Sequence, residues 1–166
     1  ISSVEQLRAL TAAIREANPR ALIAIDEEGG DVSRLHAATG SPFPGNALLG
    51  RIDDEELTAS VGAAVARELR AVGVNLNFAP DVDINSNPDN PVIGVRSFGA
   101  EPGLVARHSA AWVTAHEAEG VAVSAKHFPG HGDTDADSHH ALPVVDLPLE
   151  VLRERELVPF RAAIEA

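Results

Sequence analysis

The chain of 166 residues contains no cysteine and no methionine, and lysine occurs once, at Lys126. Without cysteine there is no disulfide framework and no thiolate chemistry, so the redox compartment stays open. Without methionine a chain that begins at Ile1 has no translational start of its own. It is therefore expected to be an excised or processed piece of something longer. No apolar run approaches the roughly 18 residues that a membrane helix requires. No signal peptide is visible either, although a leader could have gone with the missing start. Basic charge is scarce: 13 Lys and Arg stand against 25 Asp and Glu, giving −12. Nucleic acids and anionic membranes need a basic patch, so neither is expected as a partner. The rest of the composition, 45% hydrophobic and 23% charged, suits one soluble domain with a buried core.

Four segments carry a helical period. Ser3-Val4-Glu5-Gln6 has the capping-box pattern and is followed by Leu7, Leu10 and Ile14, with Asn18-Pro19 as the stop. Leu57, Val61, Val65 and Leu69 line a second helix that ends at Gly73. A third starts at Pro102, carries Leu104, Val105, Trp112 and Val113, and ends at Gly120. A fourth runs from about Leu149 past Leu152 and Leu157, with Pro159 as a kink or break. Between them lie three apolar runs, Ala21 to Ile25, Val74 to Phe78 and Val121 to Ala125. Short runs apolar at nearly every position read as parallel strands buried on both faces. The order αβαβαβα predicts an α/β fold of βα units.

Loop lengths sharpen this. Helix-to-strand connections are short, whereas the strand-to-helix connections, about Asp26 to Asp53, Ala79 to Glu101 and Lys126 to Pro148, are long. Structureless loops of such length are uncommon and usually functional. All three leave the carboxyl ends of strands, where parallel α/β folds place their sites. Three strands do not close a barrel. The expectation is a small open sheet, or roughly half of a (β/α)8 TIM-type barrel with its first and later strands elsewhere, the whole chain forming one segment, 1–166.

In the first loop, IAIDEEGGDVSRL, Asp26 follows the strand directly and Arg34 could return to the same mouth; a capping Asp and a surface Arg are the plainer alternative. In the second, NFAPDVDINSNPDNPVIGVRSFG, Arg96 sits among apolar neighbours and needs a partner such as Asp81, Asp83 or a ligand. The third, KHFPGHGDTDADSHHALP, gathers Lys126, four of the seven histidines and three aspartates. Lys126 and His127 fall on the rim of the sheet. Asp137 and His139 are two apart, so in an extended segment they share a side, and a carboxylate beside an imidazole suits a general acid/base. Two other uses of this stretch are a metal cage and a solvated turn. Asp133, Asp135 and Asp137 begin like a calcium loop, but Ser138 and Val144 stand where Gly and Glu belong. His131, Asp133, His139 and His140 lack a helical zinc spacing. No metal and no cofactor is expected.

KHFPGHGDTDADSHHALP resembles the signature of family 3 glycoside hydrolases, in their β-N-acetylglucosaminidase branch, which includes bacterial cell-wall recycling enzymes. IDEEGG, NFAPDVDI and NPVIGVRSFG resemble other motifs of that family in the expected order, so the resemblance spans the chain. It implies a barrel of which about three strands and four helices are present. It implies hydroxyl-binding roles for Asp26, Arg34, Arg96, Lys126 and His127, with His139 as acid/base and Asp137 as its partner. Asp31 stands where the family usually has Arg, so that rim contact is not carried over. The resemblance implies a nucleophilic aspartate on a later strand, expected beyond Ala166. The implied partner is an N-acetylglucosamine-containing saccharide or muropeptide. Another family 3 glycosidase or phosphorylase, or an inactive sugar-binding or assembly fragment, stays open, as does the compartment. The isolated chain is expected to be inactive and, if truly truncated, to self-associate through unpaired strand edges.

Overall fold

The computed structural model describes residues 1–137 and 142–166. The first helix, α1, covers Val4–Ala17. Ser3 caps it, its Oγ accepting the Gln6 N–H at 3.1 Å. The reciprocal arm of the capping box reaches one residue further back, Gln6 Oε1 accepting from Ser2 N–H at 3.4 Å. The helix buries a narrow face. Leu7 and Thr11 point inward, Thr11 Oγ1 donating to the Val72 carbonyl at 2.7 Å, while Leu10 remains 48% exposed rather than joining the core.

Strand β1, Ala24–Ile25, precedes a long loop that is not structureless as expected, because it contains α2, Asn46–Ile52. That helix escapes sequence patterning because it is short and its cap, Gly45, offers no side chain. Helix α3 spans Glu55–Ala71 and is capped by Asp54. Val61, Val65 and Leu69 are buried as predicted, but Thr58 replaces Leu57 as the inward residue of the first turn. Strand β2 is Leu76–Asn77, a 3₁₀ turn covers Gly94–Arg96, and α4 runs Pro102–Ala118 with Pro102 in the first turn and Glu101 as cap. Strand β3 is Ala122–Val123. The last helix is broken, into α5, Leu149–Val151, a π-helical segment, Leu152–Glu156, and α6, Leu157–Glu165. Pro159 has no N–H to return to the preceding turn, and the widened turn lies just before it.

The strands form one parallel sheet in the order β1-β2-β3, with Ala24, Leu76 and Ala122 in register. Two asparagine side chains extend the short ladder at both ends. Asn75 accepts from Ile23 N–H at 2.7 Å and donates to Ala21 O at 3.1 Å. Asn77 accepts from Glu27 N–H at 3.0 Å and donates to Glu27 O at 2.8 Å.

Ile25, Val65, Leu69, Val74, Trp112 and Val121 form the core under one face of the sheet. Within this chain burial is seen on one face. Among the described residues the other face is open, with Leu22 73% and Phe78 40% exposed and Ala24 and Ala122 in solvent. In a (β/α)8 barrel that second face is the one turned toward the interior.

Candidate active site

The three long loops meet at the carboxyl ends of the strands. Directly after β1, Asp26 and Glu28 share one side of an extended stretch, while Glu27 turns inward and is 1% exposed. Glu27 Oε2 accepts the N–H groups of Arg34 and Leu35 at 2.8 and 2.9 Å. These bonds fold the loop back and bring Arg34 to the mouth. Gly29 and Gly30 turn with positive φ, and a Cβ on Gly30 would press on the Gly45 backbone.

Glu28, 3% exposed, is the hub of the charges. Its Oε1 lies 2.8 Å from Arg96 Nη2 and 2.7 Å from Lys126 Nζ, and its Oε2 accepts from Arg96 Nε at 3.0 Å. Lys126 also donates to Asp26 Oδ1 at 2.7 Å. Burial works against the Arg96 charge, but the hydrogen bonds and charge of Glu28 outweigh it and raise its pKa. The sequence reading leaves Asp81, Asp83 or a ligand as partners of Arg96. The structure gives Glu28 as the close partner and Asp81 at 3.5 Å. Asn46, from α2, donates to Arg96 O at 2.7 Å and holds the turn in place.

Asp83 organises the third loop. It accepts His127 Nδ1–H at 2.6 Å and the His131 backbone N–H at 2.6 Å. The Nε2 of His127 faces Arg96 Nη2 at 3.2 Å. Arginine only donates, so Nε2 is an acceptor and the ring is the neutral Nδ1–H tautomer. Asp81 is fully buried, and burial, with Asp83 and Glu28 adding repulsion, pushes its pKa well above the usual carboxylate range. Among the described residues its Oδ2 has no hydrogen-bond partner.

Asp81, Asp83 and His127 offer atoms within 4.8 Å of one another, the spacing of a possible metal cage. His127 donates to Asp83, whereas Asp81 Oδ2 has only the Arg96 guanidinium at 3.5 Å, so the burial of Asp83 is compensated and that of Asp81 only in part. Asp133, once a candidate ligand, pairs with Arg155 at 2.6 Å instead.

The groups enclose a cavity of about 320 Å³ lined by Asp26, Glu28, Arg34, Arg96, Lys126, His127 and His131 with Val32 and Val92. The five residues expected to bind hydroxyls thus border one space. His139 and its pairing with Asp137 lie outside the described residues, although Asp137 itself is described. Glu28 and Asp83 are the residues sequence reasoning undervalued. The alternation in Asp26-Glu27-Glu28 was the available signal for the first.

Parallel βα units thus hold a cavity of interleaved carboxylates and cations at the carboxyl ends of the strands, the face where such folds place their active sites. The family comparison agrees: residues 1–166 match the model of the glycosyl hydrolase family 3 N-terminal domain, and the chain belongs to that family. It is 41% identical to beta-hexosaminidase A of Pseudoalteromonas piscicida, over 100% of this chain and 29% of the relative. A family 3 β-N-acetylglucosaminidase from Paenibacillus sp. superposes with a TM-score of 0.93 at 47% identity, over 99% of this chain and 32% of that one. NagZ from Neisseria gonorrhoeae, in complex with N-trifluoroacetyl-D-glucosamine, superposes with a TM-score of 0.89 at 37% identity, over 98% and 50%. The chain spans half or less of the length of each of these proteins.

Proposed function

We propose that the protein containing this chain hydrolyses terminal β-linked N-acetylglucosamine residues with retention, through a glycosyl-enzyme intermediate. What carries this function is the cavity with its alternating charges. A sugar hydroxyl both donates and accepts, so a ring of hydroxyls is held best by carboxylates interleaved with guanidinium and ammonium groups. Asp26, Arg34, Arg96 and Lys126 would take the hydroxyls. At His127 a hydroxyl would share Nε2 with the Arg96 N–H. The β-N-acetylglucosaminidase and NagZ relatives support N-acetylglucosamine as the sugar, and a muropeptide that carries it is the larger substrate we propose.

His139 is the acid/base and Asp137 its orienting partner. A nucleophilic carboxylate attacks the anomeric carbon while His139 gives its proton to the leaving oxygen. In the second step His139 takes a proton from the water that attacks the intermediate. An imidazole titrates near neutrality, so it can do both. The nucleophile is expected on a later strand, outside these residues, which form roughly the first half of the catalytic barrel.

The test uses the full-length protein. Wild type should cleave a chromogenic N-acetylglucosaminide. His139→Ala should lose about 10² to 10⁴-fold on a disaccharide and far less on an activated aryl glycoside. Equal losses on both substrates would exclude the acid role.

A further inference from the structure

Asn90 lies in the second loop and is 9% exposed, outside the lining of the cavity. Its two amide atoms serve two different loops. Oδ1 accepts the N–H groups of Val92 and Ile93 at 2.9 and 2.7 Å, closing the turn that delivers Arg96, whose N–H bonds to Ile93 O at 2.8 Å. Nδ2 faces the third loop and lies 2.8 Å from His131 O, 3.0 Å from Thr134 O and 3.2 Å from Thr134 Oγ1. Asn87 adds a parallel strut, Nδ2 to Thr134 O at 3.1 Å and its backbone N–H to Gly132 O at 3.2 Å. At Gly132 the contact is so close that a Cβ would overlap the Ile84 carbonyl.

We propose that Asn90 is a positioning residue that locks the His131–Thr134 segment to the Arg96 turn. It thereby sets two walls of the sugar cavity relative to each other and fixes the stem from which the chain runs on to Asp137. Buried amide groups of this kind act as a unit, because each carbonyl left without its donor keeps its desolvation cost. The consequence for proton transfer rests on the glycosidase function proposed above; the mechanical lock does not.

The two sides of Asn90 can be separated. In Asn90→Asp a carboxylate still accepts from Val92 and Ile93 but has no N–H for His131 O or Thr134 O. Asn90→Ser keeps a short acceptor for the turn and cannot span to the third loop, which gives a second variant should the first not fold. Amide hydrogen exchange in the full-length protein reads the lock directly. Exchange across residues 127–134 should rise about tenfold or more while residues 92–96 keep wild-type protection. Wild-type protection of residues 127–134, or an equal rise in both segments, would overturn the proposal. In kinetics, kcat on a disaccharide should fall about 10 to 100-fold and clearly less on an activated aryl glycoside, with KM rising for both because one wall of the cavity has loosened. Uniform loss on both substrates would reduce Asn90 to a stability residue and overturn its positioning role. A wild type inert toward N-acetylglucosaminides would overturn the proposed activity, and the exchange measurement would still decide the lock.

Discussion

Glu28 grips Arg96 through both carboxylate oxygens, Oε1 to Nη2 at 2.8 Å and Oε2 to Nε at 3.0 Å, with the two side chains 3% and 16% exposed. A planar fork on a planar acceptor fixes direction as well as distance. Removing one partner leaves a buried charge, so Glu28→Ala should cost about 3 to 5 kcal/mol in urea unfolding. The double variant Glu28→Leu with Arg96→Met should recover part of that. In the full-length protein Glu28→Gln should lower kcat/KM for an N-acetylglucosaminide by about 100-fold, because Arg96 and Lys126 both lose their guide. A stability loss for Glu28→Ala below about 1 kcal/mol would mean that Arg96 is held chiefly by Asp81 and His127.

His116 supplies a pH dependence. It is fully buried, stacks on Trp112, donates from Nδ1 to Trp112 O and accepts from Asn77 Nδ2 at Nε2. Burial lowers its pKa from 6.5 to about 4. The unfolded chain therefore takes up a proton that the folded one refuses. The contribution is present above pH 6.5 and is lost as pH falls toward 4, by about 3 kcal/mol in all. Carboxylates add their own acid response, so the comparison is with His116→Gln, whose side-chain oxygen can still accept from Asn77. That variant should show a shallower loss of stability between pH 6.5 and 4. Parallel curves would place the acid response elsewhere.

Two glycines should behave differently. Gly132 lies against the Ile84 carbonyl, so Gly132→Ala must move backbone and should destabilise by about 3 kcal/mol or more. Gly40 has φ +82° with open space around its Cβ position, and Gly40→Ala should cost about 1 to 2 kcal/mol from backbone conformation alone. Thermal unfolding of the two variants decides the order, and equal losses would contradict the close approach.

The 166 residues expressed alone should neither turn over a chromogenic N-acetylglucosaminide nor remain monomeric. β1 and β3 are the edge strands of the described sheet, and the open face carries Leu22 and Phe78. Light scattering that gives a stable monomer would count against association. Robust turnover would place the nucleophile within this chain.

The sequence made the alternation of elements and the location of the mouth legible, because apolar period and loop length are local properties. Capping at Ser3, the start at Pro102 and the buried stripe Val61, Val65, Leu69 all follow from residues a few positions apart. The placement of Asp26, Arg34, Arg96, Lys126 and His127 around one cavity was legible from their places after strands and in motifs. Glu28 was not, because its importance comes from cations 68 and 98 positions away in the chain (96 − 28 and 126 − 28). The same holds for Asp83, which meets His127 and His131 only after the second and third loops close on each other. Helix α2 was hidden by its length and its glycine cap.

The amide pegs of Asn75 and Asn77 give the mouth its alignment. With strands of two residues each, backbone pairing alone would tolerate a shift of β1 along β2. Such a shift would unhook all four peg bonds together, and Asp26 and Glu28, which flank the second peg at Glu27, would miss Lys126. Two uncharged side chains beneath the charged ring thus calibrate it, as the stops of a vernier fix the zero of its scale.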